Sequence, residues 1–366
     1  MTQYRYLPLF FIFIISIYLS SCTAPKILAT EQSVDEIMKE FNATNVPGAS
    51  VLVMKNDSVI FKKAYGYADV TDGRPVTTTT NFRLASITKQ FTAMSIILLA
   101  ERGQLSFEDR ISKFFSDFPQ YGKEITVRHL LTHTSGLVDY ESLIPDSQTV
   151  QVLDADCLRL MHDVDTLYFP AGTKYQYSNT GYALLALIVE KISGMRFADF
   201  LKKNIFDVVG MPTSVAFENG ISTVANRAYG HSRTDSGWIQ TDQSNTSAVL
   251  GDGGIYSNVE EMSSWISALW NYKLIPQQTQ HLAWSSALLN NGTAIDYGFG
   301  WHLETYSGIR HPHHGGSTRG FRNHILVFPE QRLLVIVLTN RNEGEPIHLA
   351  HAIANLFLEK SKREIR

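Results

Sequence analysis

Residues 82–103 read FRLASITKQFTAMSIILLAERG, and this stretch decides how the rest of the chain is interpreted. Apolar residues recur at helical spacing after Ser86, which predicts a helix over residues 86–102. The periodic positions are Ile87, Phe91, Met94 and Leu98. Gly103 follows as a typical helix end. Because Ser86 and Lys89 lie three positions apart, they share a face, and the helix begins with a hydroxyl next to an amine.

Ser86 and Lys89 have the chemistry of a nucleophile and its base. A neutral lysine amine can take the proton of a serine hydroxyl, but a solvated lysine is charged at pH 7, so burial or a nearby positive charge must favour the neutral amine. At a helix start, the backbone N–H of Ser86 also points toward a developing oxyanion. The alternative is a helix-capping serine beside a surface lysine, without catalytic meaning.

Tyr177 and Asn179 are the second pair of candidate site residues. They follow a turn at residues 169–173, FPAGT, and precede an apolar helix. A tyrosine near the nucleophile can relay a proton to the leaving group, and an asparagine amide can orient a substrate carbonyl. The tripeptide YSN of residues 177–179 recurs at residues 256–258, where it is predicted to cap a helix. We therefore predict the active-site role for Tyr177 and not for Tyr256.

Residues 311–321 read HPHHGGSTRGF and supply the third candidate element. Two glycines beside a strand allow a substrate backbone to approach closely and to pair with strand N–H groups. Three histidines within four residues also raise the alternative of a zinc site. Their spacing fits no common zinc pattern, and the chain has no His-Glu-x-x-His, so we predict no metal and no other cofactor.

Strand patterns lie near both ends of the chain. Residues 49–54 and 58–64 predict one hairpin, and residues 324–328 and 333–339 predict another. A capping box at residues 33–36 and an apolar pattern after residue 347 predict helices at the two ends. We predict an α+β fold: an antiparallel sheet built from both termini and flanked by helices (about 35–85 and 250–360), with a mainly helical lobe (about 86–250) inserted in the middle.

Composition excludes several classes of protein. The 366 residues are 44% hydrophobic and 18% charged, which is ordinary for a globular chain, and the net charge of −3 gives no electrostatic reason to expect a nucleic-acid partner. Cys22 and Cys157 are the two cysteines. Since Cys22 lies before the predicted fold, no internal disulfide is expected.

The N-terminus predicts export and a lipid anchor. Arg5 precedes an apolar run over residues 7–19 that is short for a membrane span, and residues 19–22, LSSC, resemble a bacterial lipobox. This interpretation makes residues 1–21 a lipoprotein signal peptide, Cys22 the lipidated first residue, residues 22–34 a tether and residues 35–360 one folded domain. We expect the protein in the bacterial cell envelope, facing the periplasm or exterior. A plain signal peptide is the alternative.

The three elements resemble, in chain order, the active-site motifs of the serine β-lactamase and penicillin-binding protein superfamily: Ser86-x-x-Lys89, Tyr177-x-Asn179 and His314-x-Gly316. The Tyr-x-Asn form resembles the class C β-lactamase, D-alanyl-D-alanine carboxypeptidase and esterase branch. Further stretches resemble that branch, so that the likeness extends from about residue 35 to 358: residues 46–49, 125–137, 253–257 and 297–301. The resemblance implies a β-lactamase/transpeptidase-like fold.

The resemblance also implies a role for each matching residue. The implied catalytic residues are Ser86 as nucleophile, Lys89 as proton acceptor and Tyr177 as proton relay. The implied substrate-binding residues are Asn179, His314, Gly316 and Ser317, with the backbone N–H groups of Ser317 and Ser86 forming the oxyanion hole. His129 and His133 are interpreted as loop histidines bonded to backbone.

One departure bears on the substrate. Many β-lactamases have Lys-Thr-Gly in the third motif, and a mostly neutral His314 in place of that lysine holds an anion more weakly. We therefore predict a serine hydrolase that cleaves an ester or a D-amino-acid peptide through an acyl-enzyme, with weak β-lactam hydrolysis at most. The alternative is a catalytically idle protein that binds penicillin or cell-wall peptides as a sensor or scaffold.

We expect a monomer, with small-molecule or peptide substrates and a membrane contact through the lipid. Residues 138–160 and 215–250 are expected to border the cleft.

Overall fold

The computed structural model of the chain describes residue 1 and residues 24–358. Its strands, in chain order, are β1 (Ala49–Lys55), β2 (Ser58–Tyr65), β3 (Tyr67–Asp69), β4 (Arg74–Pro75), β5 (Phe82–Arg83), β6 (Val215–Ala216), β7 (His231–Thr234), β8 (Gly237–Gln240), β9 (Ile255–Ser257), β10 (His302–Tyr306), β11 (Ile309–Thr318), β12 (Phe321–Phe328) and β13 (Leu333–Thr339). The predicted signal peptide and Cys22 lie outside the described residues.

The α-helices, in chain order, are α1 (Ala24–Ile37), α2 (Lys89–Glu101), α3 (Val127–Leu131), α4 (Asp154–His162), α5 (Asn179–Ser193), α6 (Phe197–Leu201), α7 (Asp207–Val209), α8 (Leu250–Gly253), α9 (Val259–Trp270), α10 (Gln277–Ala283) and α11 (Pro346–Phe357). Short 3₁₀ turns occupy Lys39–Phe41, Ala85–Thr88, Ile111–Lys113, Gln120–Lys123 and Tyr140–Leu143, and a π-helical turn occupies Lys202–Phe206. In the part of the chain that is described, none of these helices combines the length and the apolar character that a bilayer span requires.

Both ends of the chain build one six-stranded sheet, as predicted. Its strand order is β10-β11-β12-β13-β1-β2, and β1 pairs antiparallel with β13, with Ala49 opposite Thr339. The two predicted hairpins are confirmed as β1–β2 and β12–β13. The pairing of β1 with β13 therefore joins the first and last strands at the centre of the sheet.

Alternate residues of the central strands face two separate cores. Val51 and Val53 pack in the same cluster as Val34 of α1 and Ile353 of α11. Leu52 instead belongs to the larger cluster on the opposite face, which also contains residues of α2 and α9. This is the two-residue period of a strand that is covered on both faces, and it explains why β1 and β13 read as nearly continuous apolar runs.

The N-terminal helix begins earlier than the sequence pattern predicts. α1 runs from Ala24 to Ile37, so residues 24–34, which we assigned to a tether, are helical, and the capping box at residues 33–36 lies inside the helix. The prediction for the end of the fold is closer, since α11 begins at Pro346, one residue before the predicted start, and ends at Phe357.

The inserted lobe packs its helices around α2. Residues Lys89–Leu99 of α2 are buried, and α5 lies against α2, α3, α4 and α8. Phe91 stacks on Trp265 of α9 with ring centroids 4.4 Å apart, which ties the lobe to the helix beside the sheet. Small strands also occur in this region, as the hairpin β7–β8 and as β6 in a three-stranded sheet ordered β5-β9-β6. The α-helix predicted over residues 86–102 is observed as α2 preceded by the 3₁₀ turn Ala85–Thr88, so Ser86 lies in that turn and Lys89 is the first residue of α2.

Candidate active site

The turn that carries Ser86 is strained and held from several sides. Ala85, the preceding residue, has φ of +51°, which a residue with a side chain adopts at an energetic cost. The Leu84 backbone N–H donates to the Ile255 carbonyl at 2.8 Å, and the Asn323 amide donates to the Arg83 carbonyl at 2.8 Å. Strands β9 and β12 thus fix the backbone just before Ser86, and a turn fixed in this way presents its hydroxyl in one orientation.

Strand β11 packs directly on the same turn through Gly316. A Cβ atom placed on Gly316 would lie 2.0 Å from the Leu84 carbonyl oxygen, which is far closer than any real contact. Only glycine therefore allows this strand to approach the nucleophile. The close approach also brings Ser317 to the same small cavity as Ser86.

Lys89 is fully buried and uses all three donors of its ammonium group. Its Nζ lies 3.2 Å from Ser86 Oγ, 2.8 Å from Asn179 Oδ1 and 3.0 Å from the Asp252 carbonyl oxygen. Of these three partners only the hydroxyl of Ser86 can also donate. If Lys89 is a neutral amine, the Ser86 contact is therefore the one that reverses, so that Ser86 donates its proton to Nζ.

Tyr177 lies against this amine, as the sequence predicted. Lys89 Nζ is 4.8 Å from the centroid of the Tyr177 ring. The Tyr177 hydroxyl is buried and has no hydrogen-bond partner among the described residues. The structure therefore brings the Ser86 hydroxyl, the Lys89 amine and the Tyr177 ring together. Among the described residues, no group forms a hydrogen bond with the Tyr177 hydroxyl.

Asn179 has a second task besides the predicted contact with substrate. It is the first residue of α5, its Oδ1 accepts from Lys89, and its backbone N–H donates to Asp139 Oδ2 at 2.7 Å. Since Oδ1 is engaged, the side-chain NH₂ is the group that remains to meet a substrate carbonyl.

His314 is predicted to bind substrate on the strand that lines the site, with a weaker hold on an anion than a lysine would have. Its side chain is buried, its Nε2 lies 3.1 Å from the Tyr297 hydroxyl, and its Nδ1 lies 2.6 Å from the Gly315 carbonyl oxygen. Burial, together with the neighbouring His302 ring and the Lys89 charge, holds the pKa of His314 well below its usual range. A neutral imidazole with both nitrogens engaged has no free donor for an anion. His314 therefore holds neighbouring groups of the site, the Tyr297 hydroxyl and the Gly315 carbonyl.

Acidic residues that the sequence analysis missed line the other side of the cavity. The Asp252 carboxylate accepts a hydrogen bond from the Tyr140 hydroxyl at 2.8 Å, and burial, opposed by the Lys89 charge, raises its pKa to about 6. Glu141 lies at the mouth of the cavity. Loss of solvation in the cleft and the charges of Asp252 and Asp139 raise its pKa to about 7, although part of the side chain stays exposed.

These acidic positions leave a weak signal in the sequence. Glu141 lies in the stretch 138–160 and Thr246 in the stretch 215–250, and both line the cavity with Ser86, so the two segments border the cleft as expected. Asp252 immediately precedes the Gly253-Gly254 pair. Nothing in the sequence alone indicates that Glu141 and Asp252 line the same cavity, because they are far apart in the chain and only the fold brings them together.

The repeated tripeptide at residues 256–258 is structural. Tyr256 is buried in β9, and its hydroxyl accepts hydrogen bonds from Arg227 and Gln243, each at 3.0 Å. Asn258 caps α9 by accepting from the Glu261 backbone N–H at 3.0 Å. The sequence prediction that this copy caps a helix is confirmed.

The histidines of β10, β11 and β12 form a buried row. His313 lies opposite His302 across the β10–β11 pair, and its Nδ1 is 3.1 Å from His324 Nε2. Burial and the neighbouring histidines lower the pKa of His313 to about 2 and that of His324 to about 3. Within residues 24–358, no three His, Cys, Asp or Glu side chains are arranged to hold a metal ion.

His129 and His133 are bonded to backbone, as expected, although His129 lies in α3 and not in a loop. His129 Nδ1 accepts from the Thr126 N–H at 3.2 Å and completes a capping box at the start of α3. His133 Nδ1 accepts from the Ser178 N–H at 3.0 Å. The two histidines thus accept similar hydrogen bonds, but the partner of His133 is Ser178, which directly follows Tyr177.

Comparison with known proteins agrees with the family that the sequence resembles. The sequence model of the Beta-lactamase family matches residues 34–358. Penicillin-binding protein 4* of Bacillus subtilis is 35% identical over 319 residues, which are 83% of this chain and 69% of that protein. A D-aminopeptidase of Cereibacter sphaeroides is 31% identical over 343 residues, which are 90% of this chain and 62% of that protein. This chain thus spans less than two thirds of the D-aminopeptidase.

Solved structures share the architecture. The octameric penicillin-binding protein homologue from Pyrococcus abyssi has a TM-score of 0.77 at 27% identity, and the match covers 90% of this chain and 77% of that one. The D-amino acid amidase from Ochrobactrum anthropi SV3, in complex with L-phenylalanine amide, has a TM-score of 0.78 at 22% identity, covering 90% and 98% of the two chains. At that identity the amidase is similar in fold alone.

Proposed function

Because this chain belongs to the Beta-lactamase family and has the β-lactamase/transpeptidase-like fold, we propose that it is a serine hydrolase whose acyl-enzyme forms on Ser86. The proposed substrates are esters and the amides or peptides of D-amino acids. The observation that carries this proposal is the 3.2 Å contact between Ser86 Oγ and the buried Lys89 Nζ, beside the Tyr177 ring, whose hydroxyl has no hydrogen-bond partner among the described residues.

The proposed reaction has two halves that use the same groups. Ser86 Oγ attacks the substrate carbonyl carbon while its proton passes to Lys89 Nζ, and the carbonyl oxygen gains negative charge between the backbone N–H groups of Ser86 and Ser317. The bond to the leaving group then breaks as the Tyr177 hydroxyl donates a proton to the departing nitrogen or oxygen, and Tyr177 takes a proton back from the Lys89 ammonium group, so that both groups regain their starting states. In the second half, water attacks the acyl carbon and gives one proton to Lys89 Nζ, by way of the Tyr177 oxygen. The bond from Ser86 Oγ to the acyl carbon then breaks, the acid leaves, and Lys89 returns the proton to Ser86 Oγ.

The charges around the cavity favour a substrate with a free ammonium group. Glu141 and Asp252 line the cavity that Ser86 also lines, and the charges of Asp252 and Asp139 act on Glu141. His314, which stands where many β-lactamases have a lysine, has no free donor for a carboxylate. A substrate that carries an amine next to the scissile carbonyl would place its charge near Glu141. The name of the D-aminopeptidase relative supports this choice.

The proposal is tested by active-site labelling and turnover. A fluorophosphonate or fluorescent penicillin probe is expected to label the enzyme on Ser86, and Ser86→Ala is expected to lose both the label and the hydrolysis of p-nitrophenyl acetate and D-alanine p-nitroanilide. Ser257→Ala, a buried serine in the structural copy of the tripeptide, is the matched control and should keep the label. Full turnover by Ser86→Ala would overturn the proposal. Labelling without turnover of any of these substrates would instead favour the idle binding protein.

A further inference from the structure

Tyr177 is held without the help of its own hydroxyl. That hydroxyl has no hydrogen-bond partner among the described residues, and the residue lies in a loop just before α5. A proton relay must nevertheless stay within hydrogen-bond reach of the leaving group. The position of the phenol must therefore come from the backbone on either side of Tyr177 and from packing on its ring.

His133 supplies restraints of both kinds. Its carbonyl oxygen accepts from the Gln176 N–H at 3.0 Å, and its Nδ1 accepts from the Ser178 N–H at 3.0 Å, so one residue bonds both neighbours of Tyr177. The His133 ring also packs on the Tyr177 ring, with centroids 4.2 Å apart. His133 itself has φ of +57°, a conformation that histidine tolerates better than most residues do.

We propose that His133 is a positioning residue that fixes the Tyr177 phenol for proton transfer, through its hydrogen bond from Ser178. This inference rests on the proposed function, since it gives His133 a purpose only if Tyr177 acts on the leaving group. His133 does not touch the reacting atoms in this role. It acts by keeping the backbone of residues 176–178 in one conformation.

The role requires one tautomer of a neutral ring. With Nδ1 as the acceptor, the proton of the ring lies on Nε2, and a second proton on Nδ1 would face the Ser178 N–H and break the bond. Complete burial, the Lys89 charge and the nearby His302 ring hold the pKa of His133 well below its usual range. The ring otherwise contacts the rings of tyrosines 175, 177, 182 and 297, and among the described residues no carboxylate contributes to its pKa.

Two substitutions separate the hydrogen bond from the ring. His133→Asn keeps an acceptor near the place of Nδ1 and tolerates the positive φ, whereas His133→Phe keeps a ring and removes the acceptor. We expect His133→Phe to lower kcat on the order of 10²-fold, as for a misplacement of about 1 Å, with KM little changed. His133→Asn should retain a kcat several-fold or more above that of His133→Phe. Rates are normalised to the sites that a fluorophosphonate labels.

His129→Asn is the matched control, because His129 makes the same kind of Nδ1 bond four residues earlier but does not border Tyr177. It should leave kcat unchanged. The inference is overturned if folded His133→Phe keeps a kcat close to that of the unaltered enzyme, or if His133→Asn and His133→Phe lose kcat equally. Failure of Ser86→Ala or Tyr177→Phe to impair turnover would instead overturn the proposed function.

A spectroscopic measurement covers the case in which His133→Phe does not fold. In the enzyme with ¹⁵N-labelled histidine, the signal that disappears in His133→Asn is expected to show a protonated Nε2 and an unprotonated Nδ1 at pH 6 to 8. A proton on Nδ1 in that range would overturn the inference, because the Ser178 bond could not exist.

Discussion

Glu141 gives the cleft a charge that changes close to neutral pH. Since its pKa is raised to about 7, the carboxyl is largely neutral at pH 6 and largely ionised at pH 8. We predict that KM for D-alanine p-nitroanilide falls several-fold as the pH rises from about 6 to 7.5, because an anionic Glu141 attracts the substrate ammonium, whose own pKa is about 8. Steady-state kinetics at intervals of half a pH unit measure the effect.

Two controls test the role of Glu141, one by removing the charge of the substrate and one by removing the charge of the side chain. N-acetyl-D-alanine p-nitroanilide has no ammonium group, and Glu141→Gln has no titrating carboxyl, so the trend in KM should disappear in each case. A trend of equal size in Glu141→Gln would show that another group is responsible. Glu343→Gln, a change of an exposed carboxylate away from the cavity, should behave like the unaltered enzyme.

Individual site residues were predictable where the chemistry depends on local spacing. Ser86 and Lys89 are one turn apart, and the structure joins them at 3.2 Å. Tyr177 could be chosen over Tyr256 because residues 256–258 had a structural explanation as a helix cap. The raised pKa of Glu141 and the burial of the His314 ring could not be predicted. Both depend on contacts with segments that are distant in the sequence.

At the scale of the elements, the approach of β11 to the nucleophile turn depends on Gly316. We predict that Gly316→Ala lowers kcat/KM on the order of 10²-fold and destabilises the fold by about 1–3 kcal/mol, because the added methyl group would collide with the Leu84 carbonyl. Thermal unfolding and ester hydrolysis measure the two effects.

Gly315→Ala is the comparison for this strand. The nearest atom to a Cβ on Gly315 is Nδ1 of the His324 side chain, at 3.1 Å, and a side chain can shift where a backbone carbonyl cannot. Gly315→Ala should therefore lose much less activity than Gly316→Ala. Equal losses would mean that the strand tolerates no methyl group anywhere, and that the contact with Leu84 is not the cause.

Elements with a regular period were predicted well, and their ends were predicted less well. The alternation in β1 and β13 identifies both strands, but α1 begins before its apparent capping box. Residues 24–32 read APKILATEQ, in which good helix formers follow a proline in the first turn, where proline is tolerated. Local capping chemistry alone therefore placed the start of α1 too late.

At the scale of the whole molecule, the buried histidines make stability depend on pH. The pKa values of His302 and His311 are lowered to about 4, and those of His313 and His324 further, mainly by burial. The unfolded chain therefore takes up more protons below pH 6.5, and the stability contributed by neutral histidines is lost as the pH falls from 6.5. The raised pKa values of Asp154, Asp252 and Glu141 act in the opposite direction. The lowered histidines outnumber these carboxyls, so net acid destabilisation is expected.

His311 offers a direct test of this acid dependence. Its ring stacks on Phe328 with centroids 4.5 Å apart, and neither ring nitrogen has a hydrogen-bond partner in the described part of the chain. We predict that His311→Phe raises the free energy of unfolding by about 1–3 kcal/mol at pH 5, because it removes a buried group that must stay neutral, and by less at pH 8. Denaturant titrations at both pH values measure this. His281→Phe, a change at an exposed position, should show no such difference.

The location of the whole molecule is a prediction from the sequence. We propose that Cys22 is lipidated and that the enzyme is held at a membrane of the cell envelope. In a bacterial host, Cys22→Ala should abolish incorporation of labelled palmitate and move the protein from the detergent phase to the aqueous phase, with esterase activity retained. Cys157→Ala, a change at a buried position, should leave both unchanged. Palmitate incorporation in Cys22→Ala would contradict the proposal.

The pairing of β1 with β13 has a consequence for the timing of activity during synthesis. A nascent chain on the ribosome already contains Ser86, Lys89 and Tyr177 long before β11, β12 and β13 have been translated. Without those strands, β1 lacks its neighbour β13, and the turn before the nucleophile loses its hydrogen bond from Asn323 and its contact with Gly316, keeping only the bond to β9. Hydrolysis should therefore appear only after the final strands have emerged, and fragments that end before residue 333 should be silent.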